Sequence, residues 1–367
     1  MKILITGGCG FIGSHLTDKL IGLGHEVVVL DREPAPAWKN SKAEYIQQDI
    51  CSNLDNVMSK KFDAIYHLAA EVGSGISMAD PQKYFKTNST GTANLLEAMR
   101  KCGKMAKVIV ASSATVYGEA TYTCKEHGIF YPDYRPLEQL EKSEWEIKCS
   151  VCKKDATAVG IKEDRILKPG SIYGLTKMDQ EIMCLSLARA WGFETVAFRP
   201  FGVFGPRQSL KNPYTGVLAY FAIRVLNNEP IIHYEDGKQN KGYIYIDDAV
   251  EALALALESK KAVGKVFNLG LETPVTIKEI AEMLVKKINP EVKISASGKF
   301  RTGDTRHSWP DTSFLQKTLN WKAETSFEQG LDKMLEWLKS MPPEEIKNAI
   351  GAFDSAEKYA KSFGLEI

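Results

Sequence analysis

No apolar run in this sequence approaches the ~18–20 residues of a membrane span, and neither sign of charge dominates. Forty-seven Lys and Arg stand against 46 Asp and Glu, a net charge of +1. There is thus no basic field to draw in nucleic acid and no polybasic run to hold a membrane surface. The opening residues, MKILITGGCGFIG, lack the apolar stretch ending in small residues that a signal peptide needs. A strand and a glycine turn stand there instead, so a soluble, cytoplasmic protein is expected. The seven cysteines, at 9, 51, 102, 124, 149, 152 and 184, are odd in number, and four of them lie in apparent core or helix contexts. A disulfide framework is therefore not expected in so large a chain. With 367 residues the chain exceeds the ~250–300 at which single cores stop growing, which leaves room for two lobes.

What is present begins with KILIT, a short apolar strand at residues 2–6. GGCGFIG follows, then SHLTDKLIGLG with apolar residues at helical spacing, then the strand HEVVVL. Gly7, Gly10 and Gly13 stand at GxxGxxG spacing around Phe11 and Ile12, and Gly8, Gly10 and Gly13 also satisfy GxGxxG. Glycine there permits a tight turn, lets backbone approach a pyrophosphate, and packs helix closely on strand. Asp31 ends the second strand, 18 residues after Gly13. An acid at that place accepts hydrogen bonds from the adenosine ribose and repels a 2′-phosphate, which favours NAD over NADP; neighbouring Arg32 pulls the other way. FDAIYHLAA and AKVIVASSATVYG read as further buried strands with GTANLLEAMRKCG as a helix between them. Strands alternating with helices predict an α/β fold with a doubly wound parallel sheet. Asp49 and Ile50 are placed to reach the adenine, and Leu68, Ala69 and Ala70 to line the crevice. His67, beside them, reads as a packed histidine.

In SIYGLTK, Tyr173 and Lys177 stand four apart on one helix face. An ammonium beside a phenol favours phenolate and lowers its pKa from the usual ~10, toward a base usable near neutrality.

Taken together, TGGCGFIG, HLAA, SSATVYG, YGLTK and RPFGVFGPRQ resemble the extended short-chain dehydrogenase/reductase family of sugar-nucleotide epimerases and dehydratases, over about residues 1–340. The resemblance implies a Rossmann-type sheet with a smaller C-terminal substrate lobe. It also implies that Ser113 hydrogen-bonds the reacting oxygen, that Tyr173 is the acid/base, that Lys177 also holds the nicotinamide ribose, and that Asn88 helps bind the cofactor. Dehydratases of the family carry an Asp-Glu pair just after the serine strand, where this chain has Ala114 and Thr115. Without an acid for a leaving hydroxyl, the surviving chemistry is reversible oxidation at one sugar carbon, NAD taking and returning the hydride. An epimerase inverting C4 of a nucleoside-diphosphate sugar through a 4-keto intermediate is expected. The alternatives are a dehydrogenase, reductase, decarboxylase or dehydratase of the same fold, or a non-catalytic NAD-binding regulator.

The same resemblance assigns substrate contacts to Ser77, Thr115, Arg199, Gly202, Asn212, Tyr214, Thr215, Lys241 and Arg301, with Arg306 a further phosphate candidate. Relatives usually have Asn at Gly202 and Arg at Lys241. Plain surface charge is the other reading of Lys241, Arg301 and Arg306. The helices over residues 88–100 and 173–191 are apolar on more than one face and imply a homodimer through a four-helix bundle.

Finally, Cys124-x-x-His127 and Cys149-x-x-Cys152 form two clips with 21 residues between them. They lie within the 60 positions that separate Ser113 from Tyr173, a much longer link than in relatives. Three cysteines and a histidine suit a closed, structural zinc site; unrelated reduced thiols or a Cys149–Cys152 disulfide are the alternatives. The expected organisation is an NAD-binding domain over residues 1–200 with the Cys/His insertion at 119–168. A substrate lobe follows over 201–340, returning to the sheet near 241–270, and then a helical extension over 341–367 whose Phe353, Tyr359 and Phe363 pack on the protein's own surface.

Overall fold

The computed structural model describes residues 1–210 and 216–351. Asn212, Tyr214, Thr215, Phe353, Tyr359 and Phe363 lie outside the described residues.

Seven parallel strands form the central sheet: β1 (Lys2–Thr6), β2 (Glu26–Asp31), β3 (Glu44–Gln47), β4 (Ala64–His67), β5 (Lys107–Ala111), β6 (Thr195–Pro200) and β7 (Val266–Leu269), in the order β3-β2-β1-β4-β5-β6-β7. Their side chains alternate between two buried faces. Ile3, Ile5, Val27, Val29, Tyr66, Ile109 and Phe198 point into one core, and Leu4, Val28, Leu30, Ile65, Val108, Val110 and Ala197 into the other. A sheet covered on both sides needs such near-continuous apolar runs. On the first face lie α1 (Phe11–Gly22) and, further along the chain, Ile246–Glu258. The other carries α2 (Gly91–Lys101) and α3 (Ile172–Trp191). Strand order reverses between β1 and β4, so a crevice opens at their carboxyl ends.

Residues 121–159 leave this frame as a three-stranded antiparallel sheet, Thr121–Cys124 lying between Gly128–Phe130 and Thr157–Val159. Its apolar cluster is small, built on Tyr117, Tyr122, Ile147, Ile161 and Phe201. Charge holds it to the C-terminal part instead. Arg135 makes a bidentate pair with Glu235 at 2.8 and 3.0 Å. Arg306, fully buried, reaches Glu146, Glu235 and Asp236, and Glu119 accepts the backbone N–H groups of Arg306 and His307.

The C-terminal part contributes Val217–Leu226, Ile277–Ile288 and Phe327–Ser340 as helices. The last two begin with reciprocal caps, Thr276 with Glu279 and Ser326 with Gln329, each satisfying two otherwise orphan N–H donors. Among the described residues no helix is long and apolar enough to cross a membrane.

Candidate active site and Cys/His centre

The crevice at the switch point encloses about 640 Å³ and is lined by Gly7, Gly10, Phe11, Ile12, Gly13, Asp31, Arg32, Asp49, Ile50, Leu68, Ala69, Ala70, Ser113, Thr115, Tyr173, Lys177 and Gly202. Residues far apart in sequence thus meet in one cavity. Gly7 has φ +73, and a Cβ there would lie 2.7 Å from the Ala69 nitrogen; a Cβ on Gly13 would lie 2.4 Å from the Gly7 carbonyl oxygen. Turn, strand end and helix approach so closely only because side chains are missing.

Asp31 is held at the crevice edge by the backbone N–H groups of Cys9 and Glu33, each at 3.0 Å. Burial raises its pKa, opposed by those two bonds. The Arg32 guanidinium is paired with Glu71, which is buried and also takes Lys83 at 3.2 Å, so a phosphate would have to compete with that carboxylate for it. Glu71 directly follows HLAA; its position was legible in the sequence, but its partner was not.

Ser113 Oγ accepts from the Thr115 backbone at 3.2 Å and from the Thr115 hydroxyl at 2.9 Å, and it lines the crevice together with Tyr173. The expected lowering of the tyrosine pKa is not found: burial raises it, and Ser113 opposes burial. The reason is the direction of Lys177. Its ammonium donates to Gln180 Oε1 at 2.6 Å, and burial lowers its pKa to about 7. Gln180, three residues on along the same helix face, joins Lys177 to His67 at 2.9 Å. His67 is fully buried, and burial, then Lys177, push its pKa down to about 3, so the ring is a neutral packing group. Gln180 and Glu71 are the residues the sequence analysis missed; the Tyr-x-x-x-Lys-x-x-Gln spacing is the signal that marks the first.

Several expected contacts fall elsewhere. Asn88 does not line the crevice; it is buried on a π-helical turn, where it bonds both backbone groups of Glu71 and the hydroxyl of Thr176. Ser77, also buried, accepts the Tyr173 N–H at 3.0 Å and supports the start of α3. Arg199 is buried in a bidentate pair with Glu181 and donates to the Tyr117 hydroxyl, and it does not line the crevice. Lys241 donates to the Thr305 carbonyl and hydroxyl at 2.7 and 2.8 Å, and Arg306 belongs to the insertion interface. Arg301 is half-buried with its guanidinium 4.6 Å from the Tyr234 ring centre, and its Nε has no hydrogen bond among the described residues. Gly202 does line the crevice, but a Cβ there would sit 2.6 Å from Tyr243 Cδ1. An asparagine at this position would not fit unless that ring moved.

The two clips converge. Sγ of Cys124, Cys149 and Cys152 and a ring nitrogen of His127 lie within 4.8 Å of one another. Both Cys124 and Cys149 stand 3.5 Å from His127 Nδ1, and Cys124 is 3.7 Å from Cys152. A tetrahedron with zinc–ligand bonds of 2.0–2.3 Å has edges of about 3.6 Å between S and N and about 3.8 Å between S and S, so the donor set fits that ion. Backbone N–H groups aim at the sulfurs: that of Glu126 leads in lowering Cys124 to about 6, and that of Cys152 leads in lowering Cys149. All seven cysteines are free thiols, which overturns the disulfide alternative for Cys149 and Cys152.

A glycine-cradled crevice at a sheet switch point, with serine, tyrosine and lysine converging at its inner end, defines a dinucleotide-dependent enzyme. The family described as the NAD dependent epimerase/dehydratase family matches residues 3–139 and 150–270, and the chain belongs to it. The unmatched interval falls inside the Cys/His insertion. The dTDP-L-rhamnose 4-epimerase of Burkholderia thailandensis is 31% identical over 355 residues, spanning 92% of this chain and 94% of its own length. UDP-glucuronic acid decarboxylase 1 of Arabidopsis thaliana is 30% identical, spanning 91% of this chain and 69% of its own. The crystal structure of UDP-glucuronic acid 4-epimerase from Bacillus cereus, in complex with UDP-glucuronic acid and NAD, superposes with a TM-score of 0.76 at 29% identity, over 92% of this chain and 99% of that one.

Proposed function

We propose that this protein is an NAD-dependent nucleotide-sugar epimerase that inverts C4, with dTDP-L-rhamnose as the first substrate to test. The observation that carries the reading is the convergence of Ser113, Tyr173 and Lys177 in a crevice where Ala114 and Thr115 follow the serine in place of an acid pair. NAD, when bound, supplies reversible hydride transfer at one sugar carbon. Ser113, already oriented by Thr115, hydrogen-bonds the reacting oxygen, and Tyr173 takes and returns its proton. Burial keeps Tyr173 a neutral phenol in the free protein, so its proton must first pass to solvent; the phenolate then takes the sugar hydroxyl's proton and, as phenol, returns one to the ketone oxygen. Lys177 and Asp31 would hold the two riboses, and Arg301, half-buried beside Tyr234, is the proposed diphosphate contact. Decarboxylation is the second reading, favoured by the Arabidopsis relative.

Proton NMR of dTDP-L-rhamnose, UDP-glucose and UDP-glucuronic acid incubated with the protein and catalytic NAD separates these. A product of unchanged mass inverted at C4 supports the epimerase; loss of carbon dioxide from the uronic acid supports the decarboxylase. Tyr173→Phe should lower kcat about 10²–10⁴-fold while NAD still binds.

Cys124, His127, Cys149 and Cys152 are proposed to hold one structural zinc, since three thiolates and an imidazole leave no open position for chemistry. Metal analysis of untagged protein should find one zinc per chain; far less would remove the assignment. A homodimer through α2 and α3 is proposed on the same footing, supported by exposed Ile182 on α3, and light scattering at twice the chain mass would bear it out.

A further inference from the structure

We infer that Tyr134, anchored by Arg135, is a positioning residue through which the Cys/His insertion sets the geometry of Ser113 and Tyr173; the inference rests on Tyr173 as acid/base. The Tyr134 phenol occupies a slot between two glycines. A Cβ on Gly170 would lie 2.1 Å from its Oη, and a Cβ on Gly118 would lie 3.1 Å from it. Each glycine belongs to one half of the catalytic pair. Gly118, with φ +72, closes the turn that Ser113 caps; Gly170 precedes Ser171, which caps α3 two residues before Tyr173.

Around this slot the two segments are tied to each other. The Lys168 N–H donates to the Val116 carbonyl at 3.1 Å, and Arg165 donates to the carbonyls of Tyr117 and Ala120. The phenol is thus a wedge that sets the spacing between the serine turn and the start of the tyrosine helix. Its own place is set by Arg135, whose guanidinium is spent on Glu235, the Trp145 carbonyl and the Asp304 carbonyl. Glu235 sits at φ +51, a left-handed conformation in which a non-glycine residue is strained. The ion pair and the turn through Gly237 hold it there. One dipeptide of the insertion therefore touches the serine turn, the tyrosine helix and the C-terminal part.

Since catalytic groups tolerate little displacement, loosening the wedge should act on turnover and not on substrate affinity. Tyr134→Ala is expected to lower kcat about 10-fold with KM changed less than about 3-fold, and to shift the Tyr173 limb of the kcat–pH profile. Tyr134→Phe keeps the ring, covers the case in which the alanine variant fails to fold, and should show the same split at smaller size. Gly170→Ala expels the phenol without deleting it, so Tyr134→Ala/Gly170→Ala should resemble Tyr134→Ala and not the product of the single effects. Additive effects, or wild-type kcat and pH profile in both Tyr134 variants beside an inactive Tyr173→Phe enzyme, would overturn the inference alone. A Tyr173→Phe enzyme with full turnover would instead remove the acid/base reading and this inference with it.

Discussion

The crevice and the insertion flank the same serine turn, yet different forces hold them. Around the crevice the close approaches are made by backbone: Gly7 against Ala69, Gly13 against Gly7, and Asp31 accepting two N–H groups. Its buried histidine is neutral. At the insertion, Arg135, Arg306, Glu119 and Glu235 are buried together, with Glu146 and Asp236 at their edge, and the four metal-ligand atoms gather a few residues away. A segment with a full apolar strand is specified by its own neighbours. One with a small apolar cluster depends on long-range charge pairs, which stabilise little unless every member is satisfied.

Breaking one member should therefore cost much at the insertion and little at the crevice. Glu235→Gln leaves Arg135 and Arg306 short of a counter-charge and should lower unfolding stability in urea by about 3 kcal/mol, with NAD affinity unchanged. Stability equal to wild type would mean that the interface does not rely on charge. At the crevice, Glu71→Ala frees Arg32 to meet a 2′-phosphate, and binding titrations should show the preference for NAD over NADP shrink about 10-fold, near 1.4 kcal/mol. An unchanged ratio would leave discrimination to Asp31 alone.

The smallest effect concerns acid. The His307 hydrogen bond, with Arg306, holds the Glu146 carboxyl at about 2, below its ordinary 4.5. A carboxyl depressed in the folded state contributes stability that is fully present above 4.5 and is lost as pH falls through about 2. Urea midpoints measured across that window should fall less steeply for Glu146→Gln than for the wild-type protein. Parallel slopes would show that Glu146 is not the group that titrates.

Much of the crevice was legible because its determinants are local: glycines between a strand and a helix, an acid at the next strand end, a tyrosine and lysine one helical turn apart. The expected helical pair Tyr173 and Lys177 does line one cavity. Direction was not legible. Lys177 turns to Gln180, Arg199 to Glu181 and Lys241 to Thr305, because a buried cation takes the acceptor that packing brings nearest, and sequence spacing does not name that acceptor.

By itself the sequence determined a doubly wound sheet, a dinucleotide site and four residues with the chemistry of a metal centre, since period-two apolar runs, glycine turns and ligand types act over a few residues. Tertiary structure alone decided that Glu71 pairs with Arg32, that Arg306 pairs with Glu146 and Glu235, and that Tyr134 lies between Gly118 and Gly170. Those contacts join positions from 16 to 160 residues apart. They follow from close packing and from the cost of leaving a buried charge unpaired, which only the folded chain imposes.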